Sequence, residues 1–210
     1  MPDPALILYE GQEDKSCLKA LLEARGIMQA FTFHHECGGN TGFKKQLDGL
    51  IAGTGLEKRK AIIVIGDNDG NYTTSFNAIK SQIRDAGFNT PSNPRELVST
   101  NGLPPISVLM IPWDNDPGCL ETLFLSAINN QYARQLACAD GLIDCVHADS
   151  WDIAKRSKLR MRGFLSAVCT ADPNTGLRYA FSPHRGTPLD IFDLNHSSFN
   201  NIVTYLQTFL

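Results

Sequence analysis

Apolar residues along the chain alternate between short unbroken runs and runs spaced three or four apart, which predicts strands and helices in turn. Ala5 to Tyr9 is an apolar run of strand length. Asp14 to Arg25 then carries Cys17, Leu18, Leu21 and Leu22 at helical spacing, and Gly26 closes that helix. Ile27 to Phe33 suits a second strand, and a Gly-rich turn at 37–42 leads into a helix from Phe43 to Ala52. Residues 61–66, AIIVIG, are the clearest buried strand, with a helix from Thr73 to Ala86 behind them. Residues 89–105, rich in Pro, Asn and Ser, read as a long surface excursion. Residues 106–112, ISVLMIP, return as a buried strand, followed by WDNDPG and a helix opening near Cys119.

Beyond Asn129 helical spacing dominates, with a hairpin expected at 170–181. At the C-terminus Phe199, Ile202, Val203, Leu206, Phe209 and Leu210 share one helical face, which predicts packing against the body. The expected fold is α/β, a mainly parallel sheet flanked by helices with a helical C-terminal extension. Residues 1–128 are read as the core and 129–210 as the extension, packed on it as one compact unit.

Composition adds constraints. Of 210 residues, 42% are hydrophobic and 20% charged, the balance of an ordinary globular protein. No apolar run approaches the roughly 20 residues of a membrane-spanning helix, so no membrane partner is expected. Met1-Pro2-Asp3-Pro4 lacks the basic and apolar stretches of a secretory signal. The six cysteines include no Cys-x-x-Cys pair and read as reduced thiols, so the expected location is cytoplasmic. A net charge of -3 argues against a broad grip on nucleic-acid phosphates. Any contact with DNA or RNA must be local, metal-assisted, or helped by a protein partner or a second copy of the chain.

Three predicted strands end in acids: Glu10, then Asp67 and Asp69, then Asp114 and Asp116 with Glu121 just beyond. In parallel α/β sheets ligands bind outside the C-terminal strand ends. Side chains at i and i+2 of an extended segment point the same way, so Asp67 and Asp69 are expected to share a target. Crowded carboxylates repel unless a cation neutralises them, and hard oxygen ligands favour Mg²⁺ or Mn²⁺. Each acid also has a plainer role: Asp14 in a first helical turn gains from the helix dipole alone, and DNDGN can be a simple turn. The coincidence at successive strand ends is what favours a shared site. Farther on, Lys155, Lys158 and Arg162 fall within about 60° of one another at ~100° per helical residue, a row suited to phosphates. Arg156 and Arg160 fall on the opposite, solvated side. His34-His35-Glu36-Cys37 has no second Cys/His pair at zinc spacing.

Glu10-Gly11-x-x-Asp14 followed by VIGDND resembles the TOPRIM domain of topoisomerases, primases, recombination proteins and OLD-family nucleases. IPWDNDPGCLETLF is similar to a TOPRIM-like bacterial family related to the OLD nucleases, in which Pro-x-Asp-Asn precedes Gly-x-Leu-Glu. The segment from AKRSKLRMRGFLSAV to the C-terminus is similar to that family as well. The resemblance implies Glu10 as a metal ligand or general base, and Asp67 and Asp69 as holders of a divalent ion. It implies Asp14 as a further ligand, Glu121 near a second ion, and Lys155 or Lys158 as the late catalytic lysine. With no ATPase module, topoisomerase tyrosine domain or primase zinc ribbon in 210 residues, strand passage and priming lie beyond this chain alone. The expected activity is Mg²⁺- or Mn²⁺-dependent hydrolysis of nucleic-acid phosphodiesters. The alternatives are a non-catalytic TOPRIM-scaffold binding or regulatory module and a nucleotide phosphohydrolase.

Overall fold

A computed structural model describes residues 3–39, 41–181 and 190–210. Met1 and Pro2 of the N-terminal stretch and Asn40 of the Gly-rich turn lie outside them. The fold is α/β, built on a five-stranded sheet in the order β2-β1-β3-β5-β4. Its strands are β1 (Ala5–Leu8), β2 (Phe31–Phe33), β3 (Ile62–Asp67), β4 (Val98–Thr100) and β5 (Leu103–Ile111). All neighbours pair in parallel except β4, which runs antiparallel along the edge of β5.

The central strands are buried on both faces, which is why they read as unbroken apolar runs. Ile7, Tyr9, Ile63, Ile65, Leu109 and Ile111 face one core. It is completed by α1 (Gln12–Ala24), α4 (Leu120–Leu125), α6 (Ile153–Val168) and α7 (Asn200–Gln207). Leu8, Ile62, Val64, Ile106, Val108 and Met110 face the other core, covered by α2 (Phe43–Ala52) and α3 (Tyr72–Asp85). The remaining helix, α5 (Ala133–Cys145), packs on α6. Gly163 makes that approach close, because a Cβ there would lie 3.2 Å from Leu142 Cδ2.

Four expectations need correction. The second strand begins only at Phe31, because Met28–Ala30 forms a 3₁₀ turn first. The excursion at 89–105 contains β4 and the start of β5, since an edge strand needs pairing on one side only. No hairpin forms at 170–181, where turns lead into a 3₁₀ helix at Leu177–Tyr179. Leu210 is 58% exposed, off the buried face that Phe199, Ile202, Val203, Leu206 and Phe209 share. Among the described residues no helix is long and apolar enough to cross a membrane, and the six cysteines are free thiols.

Candidate functional site

The strand order reverses between β1 and β3, and the crevice outside their C-terminal ends is where such sheets bind ligands. Glu10 lies just past β1 and Asp67 ends β3. Glu10 Oε1 accepts a hydrogen bond from the Asp67 amide at 3.2 Å, so the two strand ends meet directly. The amides of Gly38 and Gly39 both donate to the Glu10 carbonyl at 3.1 Å, which fixes that residue's backbone. Gly11 caps α1, and its amide donates to Asp14 Oδ2 at 2.7 Å.

From the other side comes the start of α4. The Leu120 amide donates to Asp67 Oδ1 at 3.0 Å, and Asp67, Cys119 and Glu121 each offer a ligand atom within 4.8 Å of the others. This group could hold a metal ion. Lys158 of α6 reaches Asp67 Oδ2 at 3.9 Å. The resulting cleft, about 540 Å³, is lined by six carboxyl side chains, those of Glu10, Glu13, Asp14, Glu36, Asp67 and Glu121. Among the described residues, three cations, Lys158, Arg162 and Arg178, face them.

Crowding and burial show in the acidities. Burial pushes Glu10 up to about 7, with Asp14 and Asp69 adding to the rise and the Asp67 amide opposing it. Burial likewise lifts Asp14 to about 6, against the Gly11 amide bond. Asp67 is raised well above the ordinary range, by burial first and then by Asp14 and Glu10. Burial pulls the Lys158 ammonium down, but Asp67 and Glu121 outweigh it, and its pKa rises. Acids whose charged forms burial and mutual repulsion disfavour in this way fit a cation that would neutralise them. The metal-competent group offers two hard carboxylate oxygens, from Asp67 and Glu121, and one soft donor, the Cys119 sulfur.

The other predicted residues sit elsewhere. The i, i+2 argument fails for Asp69, because the strand ends at Asp67 and Asp69 takes a left-handed φ of 50°. Its carbonyl accepts from Gly118, and its side chain stays outside the cleft lining while still acting electrostatically on Glu10. Lys155 pairs with Asp152 at 3.1 Å and does not line the cleft. Asp114 pairs with Arg95, whose guanidinium lies 4.1 Å over the Trp113 ring. Fully buried Asn68 bolts this loop to β3, donating from Nδ2 to the carbonyls of Asp114 (3.0 Å) and Asp116 (2.7 Å). Arg156 and Arg160 are not simply solvated, since they line a second cavity behind the cleft.

Glu13, Glu36, Cys119 and Arg178 join the cleft or its metal-competent group without having been anticipated. Glu13 sits beside Asp14 in the first turn of α1. Arg178 carried no signal, because its segment read as a hairpin. The fold and cleft together define an α/β protein with an acid-rich pocket at its topological switch point. The chain belongs to the family described as "Protein of unknown function (DUF3226)", whose model matches residues 4–210. No curated protein and no solved structure matches it.

Proposed function

We propose that this protein is a TOPRIM-like, Mg²⁺- or Mn²⁺-dependent phosphodiester hydrolase acting on nucleic acid. The observation that carries the reading is the meeting of Glu10 and Asp67, from separate strands, with Glu121 and Lys158 in one cleft. Glu10, Asp14, Asp67 and Glu121 would hold the cation, and Asp69 supports them from outside through its charge. Bound there, a divalent cation supplies positive charge to the phosphoryl oxygens and lowers the pKa of a water. Where Glu10 does not itself ligate the ion, its carboxylate is placed in the cleft to take a proton from the attacking water. Lys158 stabilises the charge that develops on the leaving oxygen. Arg162 and Arg178 orient the flanking phosphates. Asp67→Asn is expected to abolish Mn²⁺-dependent nicking of supercoiled plasmid while the circular dichroism spectrum stays unchanged. Equal nicking by variant and parent would overturn the assignment.

A second reading, a metal-binding module without turnover, is favoured by the net charge of -3 and by the excess of acids over cations in the cleft. Calorimetry with Mn²⁺ alongside a cleavage screen on DNA, RNA and nucleotides separates the two. Binding without any cleavage selects the module, and phosphate release from nucleotides alone selects a nucleotide phosphohydrolase.

A further inference from the structure

α4 and α6 each carry the acidic cleft on one face and a second cavity on the other. The second cavity, about 390 Å³, lies between α4, α5 and α6 and shares no carboxylate with the cleft. Its volume falls within the roughly 300–1,000 Å³ of small-molecule sites. Two guanidiniums, Arg156 and Arg160, reach it from α6, and one carboxylate, Asp140, from α5. Arg160 is neutralised, with Nη2 donating to Asp140 Oδ2 at 2.9 Å. Arg156 is not: its Nε is buried without an acceptor among the described residues. A buried donor left unmet costs about 1–3 kcal/mol, so this half-buried side chain offers its Nε–H to an acceptor in the cavity.

Ser157 points to the same kind of ligand. It is 6% exposed and lines the cavity, and its Oγ accepts from Thr122 Oγ1 at 2.8 Å. That bond leaves the Ser157 hydroxyl hydrogen available for a ligand oxygen. Leu125, Ile143 and Ile153 supply an apolar wall. We propose that this cavity binds a small monocarboxylate carrying an apolar body, its oxygens on Arg156 and Ser157 and its body on that wall. Among the described residues, two guanidiniums against one carboxylate leave a single positive charge, which a monoanion balances. The site goes beyond the proposed hydrolysis and does not depend on it.

Titration calorimetry on the full chain tests the proposal with benzoate as probe, and with acetate and inorganic phosphate for comparison. Benzoate is expected to bind one to one, more tightly than acetate or phosphate. Arg156→Gln should weaken it at least about tenfold, the loss expected of a charge-assisted hydrogen bond. Ile143→Phe, which fills the cavity without touching charge, should weaken it too, and Glu121→Gln in the cleft should leave it unchanged. No benzoate binding, or binding indifferent to both Arg156→Gln and Ile143→Phe, would overturn the site. Phosphate or acetate binding as tightly as benzoate would overturn the monocarboxylate assignment.

Discussion

Gly66 precedes the carboxylate that anchors the cleft, and its missing side chain makes room for two partners. A Cβ there would stand 2.5 Å from Ile79 Cδ1 and 3.3 Å from Glu10 Oε1. The Ile79 tip can shift for one methyl but not for a branched side chain. Gly66→Val is therefore expected to cost about 1–3 kcal/mol by urea denaturation, with Gly66→Ala well below it. Gly66→Val should also weaken Mn²⁺ binding, because Glu10 is pushed from the Asp67 amide. Asn68 works by bonding rather than by space. Asn68→Ala removes both donors to the 114–116 loop and should cost about 2 kcal/mol, measured the same way. The acids at the strand ends were legible in the sequence because chain order alone puts Glu10 and Asp67 where parallel strands stop. Asn68 and Cys119 were not, because their importance comes from contacts across 46 and more positions or from a helix start facing another strand.

α6 shows how one amphipathic element can serve two sites. Its N-terminus is set by Asp152, whose Oδ1 accepts from the Lys155 amide at 2.9 Å. Asp152→Ala should lower stability by about 1 kcal/mol, the usual worth of such a cap, in a urea titration. Two turns along, Lys158 faces Asp67 as a competitor for the charge a cation would take. Lys158→Ala is thus expected to tighten Mn²⁺ binding in calorimetry while slowing plasmid nicking by about 10²-fold or more. Weaker Mn²⁺ binding in that variant would show that Lys158 orders the acids rather than opposing the ion. The spacing of Ala154, Met161, Phe164, Leu165 and Val168 made this helix readable in advance, and all five are buried. β4 was unreadable, because two half-covered residues on either side of an exposed Ser99, in a Pro- and Asn-rich stretch, make no periodic signal. The turn carrying Arg178 was misread, because its Asp-Pro-Asn-Thr-Gly run suits a hairpin equally well and only packing against α1 decides.

Across the whole molecule, the buried acids make stability depend on pH in a definite direction. Glu10 has a folded-state pKa of about 7 against an ordinary 4.5, and Asp14 about 6 against 3.8. The folded chain therefore holds more protons than the unfolded chain between those values, and stability falls as pH rises from about 4 to 7. For Glu10 alone the loss is on the order of 3 kcal/mol, from about 1.4 kcal/mol per pKa unit. A divalent ion that replaces the protons should reverse this, so the rise in melting temperature with Mn²⁺ is expected to be large at pH 8 and small at pH 5. A metal effect independent of pH would show that these acids do not take the ion. Trp113 offers a further consequence. Of the two indoles in the chain, Trp151 is 44% exposed, while Trp113 lies under the Arg95 guanidinium on the loop that Asn68 ties to β3. In a Trp151→Phe background, the remaining emission becomes an optical gauge of that loop, and a wavelength shift on adding Mn²⁺ would report occupancy without any label.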